Sequence, residues 1–438
     1  MSPAPNFRKV GVNSVDELFY SKDAIAESFA HLYAHKRSDR ALNKIDPAGL
    51  SFNDFARNFE EYRNIIFSQV ESGAYQLSPA QPTEIFADKP RIIQRLTWPD
   101  NFVLLHLARS INQVTASKLP DCLFSYRKGR SASQALKRLG RFIGRRQPPF
   151  FIARRDIKSY GETMDHKFIL ADFARYASPG PQLCHLMKQI CEFPTLVDGQ
   201  ITPNECGLPT GNYLQLVFEN LYLLDVDKTL SVIPNSLYLR FGDDILFVSV
   251  DGATFDVATK LLDKLITNRL VSCSPEKSKD ILLVKPHELS KLINQQHVSA
   301  QSTFCYLGMQ IDFKSRISLP KNKQHRLRQS IRARLGQFSK LIPANLNAEG
   351  RVKLLAQATR EYLWEDSPEQ APTIHDYLLA FQDKESSAEF DRWLALTLLG
   401  YALGTGHKAS SLRKFPYRKL RELGLPSCTA IWRQDVQP

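Results

Sequence analysis

No two of the seven cysteines, Cys122, Cys184, Cys191, Cys206, Cys273, Cys305 and Cys428, form a C-x-x-C pair. That absence argues against zinc knuckles and dithiol redox motifs, and an odd, scattered set suits a reducing cytosol. Apolar runs long enough to span a bilayer are also missing, and Met1 to Asp16 is polar, with Pro3 and Pro5 in place of a signal-peptide core. A cytoplasmic protein that does not engage a membrane is therefore expected. There is no internal repeat and no low-complexity tract. Acidic residues are absent between Arg127 and Arg155, where ten basic residues stand, Lys137, Arg138 and Arg141 among them. They are nearly absent between Lys314 and Lys353, with Glu349 alone among Arg326, Arg328, Arg332, Arg334 and other cations.

What is present is ordinary globular material: 438 residues, 43% hydrophobic and 24% charged, enough for two or three structural units with a real core. The 58 Lys and Arg against 45 Asp and Glu leave a formal charge of +13. An excess of that size favours an anionic partner, and two cationic blocks flanking an acidic hairpin favour a nucleic-acid groove.

Apolar spacing in Leu50, Phe52, Phe55, Phe59, Tyr62, Ile65 and Ile66 predicts helix up to about Glu71, ended by Ser78-Pro79-Ala80-Gln81-Pro82. Ile92-Ile93 reads as strand and Phe102 to Ile111 as an apolar helix. A strand is expected from Phe150 to Asp156, and a helix from Tyr213 to about Asp227. Leu237 to Arg240 and Ile245 to Val248 read as one hairpin around Phe241-Gly242-Asp243-Asp244. From Lys321 onward the chain looks helical, interrupted by Pro343 and Pro372.

Adjacent carboxylates in the turn of an apolar hairpin repel each other, and a divalent cation removes that penalty. Two-metal phosphoryl transfer needs carboxylates converging from separate elements, and the strand ending in Asp156 supplies the second one. The candidate acidic centre is therefore Asp156, Asp243 and Asp244.

The residues around that centre resemble the motifs of reverse transcriptases, of the bacterial and group II intron kind. Asp156-Ile157-Lys158-Ser159-Tyr160, continuing to Asp165-His166, is similar to motif A. Gly207-Leu208-Pro209-Thr210-Gly211-Asn212 with Glu219-Asn220-Leu221 is similar to motif B, and Phe241-Gly242-Asp243-Asp244 to motif C. Ser274-Pro275 with Lys277-Ser278 resembles motif D, and Tyr306-Leu307-Gly308 motif E, the primer grip. Lys89-Pro90-Arg91 and Ser125 to Ser131 match two fingers motifs. All stand in the family's order over about Leu50 to Asp312.

The resemblance implies an α+β right-hand polymerase: an N-terminal helical region and fingers over 1–150, a palm with an antiparallel sheet and part of the fingers over 151–312, and a helical thumb and C-terminal region over 313–438. It implies two Mg²⁺ ions, replaceable by Mn²⁺, on Asp156, Asp243, Asp244 and the backbone oxygen of Ile157. Lys277 is the implied acid for the pyrophosphate leaving group. Lys89, Arg91, Arg127, Ile157, Tyr160, Gly161, Pro209, Thr210 and Gly211 are the implied nucleotide-binding residues. Lys128, Arg130, Leu307, Gly308, Arg328 and Arg332 are the implied nucleic-acid contacts.

This sequence departs from the family at Thr210, at Gln215-Leu216, at Gly242, and at Gly161, where a second aromatic would follow Tyr160. The variant pattern looks most like the phage-defence and abortive-infection reverse transcriptases, and next like diversity-generating enzymes. The expected partners are an RNA template, above all a structured non-coding RNA, with deoxynucleoside triphosphates, a DNA product, and room for an oligomer. Tyr160 is the expected barrier to a ribose hydroxyl. Three alternatives stand beside this reading: untemplated or protein-primed synthesis, an RNA-directed RNA polymerase, and an idle RNA-binding scaffold.

Overall fold

Helices build most of the described residues up to Glu71, where the apolar spacing predicts them. In the computed structural model, residues 14–34, 36, 39–86, 90–197, 199–289, 299–364 and 384–429 are described. Helices Val15–Phe19, Lys22–Ala34, Phe52–Arg57 and Phe59–Glu71 precede Trp98–Thr115. This last helix is buried along most of its length, through Phe102, Leu105, His106 and Ile111 among others. Thr97 caps it, its hydroxyl accepting from Asp100 N, with Pro99 in the first turn. The expected strand at Ile92-Ile93 is Pro90–Arg95, paired antiparallel with Gln81–Phe86.

The chain divides into two units that are interleaved in sequence. One takes Met1–Arg130 and Ala153–Lys279, the other Ser131–Ile152 and Asp280–Pro438. The strand Phe150–Asp156 carries the chain from the second into the first.

In the first unit Ser236–Phe241 and Asp244–Ser249 form the hairpin expected, with Phe241 opposite Asp244 and Leu237 opposite Val248. The strand ending in Asp156 lies next to Asp244–Ser249. Helices His166–Ala177, Tyr213–Leu221, Leu224–Leu230 and Gly252–Asn268 belong to the same unit. The single helix expected from Tyr213 to Asp227 is two, divided at Tyr222-Leu223, where Leu223 leaves helical geometry with ψ 17°. Every position around the break is buried, so apolar periodicity had nothing there to reveal it.

The second unit holds the amphipathic helix Ala132–Gly144, which buries Leu136, Leu139, Phe142 and Ile143 and leaves Arg141 exposed. A three-stranded antiparallel sheet runs through Thr303–Tyr306, Met309–Asp312 and Ile317–Ser318. Helices Lys321–Leu341, Ala348–Trp364 and Lys384–Leu403 follow. Pro343 separates the first two as expected, whereas Pro372 lies outside the described residues. The class is α+β, as the sequence indicated. Among the described residues no helix is long and apolar enough to cross a membrane.

One ion pair fixes the core of the first unit. Arg240 and Asp227 are both fully buried, joined by Nη2–Oδ2 at 2.6 Å and Nε–Oδ1 at 2.7 Å. Arg240 also donates to the carbonyls of Glu219, Asn220 and Gly242, at 2.8, 2.8 and 3.2 Å. Burial disfavours its charge, but Asp227 more than offsets this and the guanidinium pKa is raised. Replacing Arg240 with Met strands a buried carboxylate and three carbonyls. The expected loss in urea unfolding is about 3–5 kcal/mol, part of it recovered in Arg240→Met/Asp227→Leu. A single-variant cost below about 1 kcal/mol would show that the pair carries no such role.

Candidate active site

Three carboxylates meet because three local rules place them. Asp156 ends a buried strand, and Asp243 and Asp244 stand at a two-residue hairpin turn that Gly242 closes with φ +62°. The segments are laced by backbone bonds: Ile157 N donates to Asp243 O at 3.2 Å, Ser274 N to Asp156 O at 2.7 Å, and Lys158 N to Ser272 O at 2.9 Å. Asp156 is 7% exposed, and its Oδ1 accepts from Lys277 Nζ at 2.7 Å and Ser274 Oγ at 3.1 Å. Arg154 approaches Asp244 at 3.5 Å.

The electrostatics follow from this crowding. Burial, then the neighbouring carboxylates of Asp244 and Asp156, push Asp243 up to about 6. Asp244 is also raised, by burial first, with Arg154 opposing. Lys277 is raised, chiefly by its bond to Asp156.

A second wall comes from the loop 207–212. Gly207 N donates to Met164 O at 2.7 Å and Leu208 N to Gly161 O at 3.2 Å. His166 Nε2 donates to Gly207 O at 2.9 Å. Pro209 is buried and its carbonyl accepts from Asn212 Nδ2, while Thr210 O accepts from Gln94 N at 3.0 Å. Asn212 Oδ1 caps the helix Tyr213–Leu221 by accepting from Leu214 N and Gln215 N. Tyr160 is buried and its hydroxyl donates to Glu219 O at 2.8 Å. Its ring therefore belongs to the core, edge-on to Tyr222 at 6.2 Å.

The structure thus gathers Asp156, Ile157, Asp243, Asp244 and Lys277, with Tyr160, Gly161, Pro209, Thr210 and Gly211 alongside. The other expected contacts have surroundings of their own. Arg127 turns into its own loop, donating to the carbonyls of Leu119, Pro120 and Leu123. Arg130 pairs with Asp121, and Lys128 is exposed. Arg91 is exposed on its hairpin strand, opposite Ile85. Lys89 lies outside the described residues. Leu307 and Gly308, both at positive φ, make the tight turn between Tyr306 and Met309 in the second unit. Arg328 bonds Glu389, and Arg328 and Arg332 lie over the Trp393 ring at 5.3 and 5.6 Å.

No family model matches the chain, and no curated protein matches it. Solved structures do resemble it. A Candida tropicalis apo telomerase truncated from its C-terminal domain aligns at TM-score 0.44 and 12% identity, over 60% of this chain and 60% of that one. The C. tropicalis telomerase in complex with a TWJ fragment of telomeric RNA aligns at TM-score 0.46 and 12% identity, over 87% and 65%. A Candida albicans telomerase in the same kind of complex aligns at 0.43 and 10%, over 85% and 66%. This chain therefore spans less than two thirds of the length of each of these three.

Several residues of the site went unassigned in the sequence. Arg154 and Ser274 touch the carboxylates directly. Tyr126, in the left-handed region at φ +51°, hydrogen-bonds Glu219, whose carboxyl is pushed up to about 7 by burial and then by Asp243. The signal was faint but present: Gln215 and Glu219 are polar residues one helical turn apart inside the apolar run Leu214 to Leu221.

Among the described residues no three His, Cys, Asp or Glu side chains are arranged as a ready metal cage. The donor set is nonetheless chemically suited to a hard divalent cation: carboxylate oxygens from two elements, each raising another's proton affinity.

Gly207 tests the second wall. Its φ is +74°, and a Cβ there would lie 2.6 Å from Glu162 O, a backbone atom that cannot swing aside. Gly207→Ala is expected to cost about 2–4 kcal/mol in urea unfolding. Gly129, at φ +73° with nothing within 4 Å of its Cβ position, should lose only about 1–2 kcal/mol as Gly129→Ala. Equal losses would show that the Gly207 approach to Glu162 is not tight.

Proposed function

We propose that this protein is a nucleotidyl transferase of the reverse-transcriptase kind, an RNA-directed DNA polymerase. One observation carries the reading: Asp156 at a strand end and Asp243-Asp244 at a hairpin turn are knitted into one acidic centre by the Ile157 N to Asp243 O bond. Its support is that independent motif residues, far apart in sequence, form a single wall around that centre.

Asp156, Asp243 and Asp244, with the backbone oxygen of Ile157, would hold two Mg²⁺ ions, or Mn²⁺ in their place. Bound there, such ions activate an attacking hydroxyl and steady the charge on a leaving pyrophosphate. The protein's own part is positional. Ser274 and the backbone bond from Ser274 N hold Asp156 in place. Lys277 keeps a proton beside the centre, where a pyrophosphate would depart. Gly207 and Gly211 let the backbone come close to a nucleotide. Arg91, exposed on its strand, remains a candidate for the triphosphate, and Lys128 for a nucleic-acid phosphate. An RNA template, a structured non-coding RNA as partner and a place in anti-phage defence complete the proposal, on the strength of the sequence pattern.

Replacing Asp243 and Asp244 together with Ala should abolish nucleotide incorporation. Folding should persist, and in the absence of divalent ions the melting temperature should hold or rise as carboxylate repulsion disappears. A Mg²⁺-dependent rise in melting temperature should be present in the wild type and lost in the variant. Undiminished polymerisation by the double variant defeats the assignment.

RNA binding should weaken steeply with salt, because phosphate contacts release counterions. A plot of log affinity against log salt should fall with a slope of several units, reduced by roughly one for each phosphate-contacting cation removed. Salt-independent affinity would argue against a phosphate track.

A further inference from the structure

Gly161 is buried, and what covers it is Gln215. A Cβ built on Gly161 would lie 1.6 Å from Gln215 Nε2, 2.5 Å from its Cδ and 2.8 Å from its Cγ. The amide therefore fills the space that any side chain at position 161 would take. It is also locked. Gln215 Oε1 accepts from Gly211 N at 3.2 Å, and Nε2 donates to Glu219 Oε1 at 3.2 Å. Glu219 is itself held by the Tyr126 hydroxyl, and its Oε2 lies close to Gly242, 3.8 Å from where a Cβ would stand. A polar chain thus runs from the loop at Gly211 through Gln215 and Glu219 to the turn that carries Asp243.

Resting on the polymerase reading, we propose that Gln215 is the specificity-determining residue of the site: its fixed amide excludes a 2′-hydroxyl from the space over Gly161 and so selects deoxynucleoside triphosphates. The argument is geometric. In an incoming nucleotide the phosphate that reacts at the carboxylates is joined to the sugar through O5′ and C5′ alone. The sugar must therefore lie against the walls next to the acidic centre. Those walls are the segment from Ile157 to Gly161 and the loop from Gly207 to Gly211, which Leu208 N and Gly161 O tie together. Gln215 sits between them, 9% exposed. Its Oε1 and Nε2 are both anchored to the protein, which holds the amide in place as a wall. Tyr160 is not available for the role, with its hydroxyl bound to Glu219 O inside the core.

The test extends an oligo(dG) primer on poly(rC) with dGTP or GTP, which differ only at the sugar. The full-length wild type, Gln215→Ala, Gln215→Met, Gly161→Ala and Gly161→Ala/Gln215→Ala are compared by kcat/KM. Wild type should favour dGTP. Gln215→Ala should lower the dGTP to GTP ratio by roughly tenfold, mainly through better use of GTP. Gln215→Met, which restores the bulk, should keep most of the selection. In urea unfolding, Gly161→Ala alone should be destabilised, and the double variant should be less so than the sum of the singles. An unchanged ratio in Gln215→Ala overturns the proposal, as does a Met variant as permissive as Ala, or strict additivity at positions 161 and 215. A wild type that incorporates neither nucleotide overturns the polymerase reading and this proposal with it. Incorporation with an unchanged ratio overturns this proposal alone.

Discussion

The buried Arg240–Asp227 pair is the constraint on which the acidic centre depends. A guanidinium with no solvent contact must satisfy all its donors within the protein. Here it does so with Asp227 on one side and with the carbonyls of Glu219, Asn220 and Gly242 on the other. Those carbonyls belong to the end of the helix Tyr213–Leu221 and to the hairpin turn. The same side chain therefore fixes the turn that bears Asp243 and Asp244 relative to the helix that bears Gln215 and Glu219. Tyr238 adds to the clamp by donating to Asp227 Oδ1 at 2.9 Å. Exchanging such a pair for apolar residues can be nearly neutral for stability, so its value here lies in holding one geometry.

Much of this was legible in the sequence, and what was legible shares a cause. The hairpin at Phe241 to Asp244, the strand ending in Asp156 and the early helices announce themselves through local periodicity, which the structure keeps. The acidic centre was legible for a different reason: carboxylates in apolar strands are costly without a chemical use. What stayed hidden depends on contacts between distant segments. Nothing in a linear pattern says that Gln215 will lie over Gly161, or that Ser274 will bond Asp156 across more than a hundred residues. The break at Tyr222 was hidden because the residues on either side of it are buried and leave no exposed face to mark it.

The cations show the same limit from the opposite side. In the sequence, Arg127, Arg130 and Arg328 look like members of a basic track. In the fold, Arg127 satisfies backbone carbonyls of its own loop, Arg130 meets Asp121, and Arg328 meets Glu389 and the Trp393 ring. An arginine carries five donors and an apolar stem, so a structural use close by competes with a ligand for it. Exposed Arg91 and Lys128 have less such competition. A basic block therefore reports how much positive charge a region holds, and only the fold reports which of it faces outward.

Within the acidic centre itself the positive charge is shared unevenly. Lys277 bonds Asp156 at 2.7 Å, and Arg154 stands 3.5 Å from Asp244. Asp243 lies between two other carboxylates in a turn that burial has partly cut off from water, and its proton affinity rises to match. That ordering is a consequence of topology. Asp156 ends a strand to which the distant segment 272–278 is bonded, and that segment brings Ser274 and Lys277. Asp244 begins a strand beside the one that carries Arg154. Asp243 sits at the turn, where the backbone curls around Gly242 and where Glu219, another acid, stands close by with the Tyr126 hydroxyl. The turn thus gathers the negative charge of Asp243, Asp244 and the nearby Glu219. Its backbone is tied on one side by Arg240 through Gly242 O and on the other by Ile157 N, so the repulsion there cannot be relieved by the turn moving away. A carboxylate pinned against its like in this way has two routes to relief, a proton or a cation, and only the second leaves it able to act as a ligand.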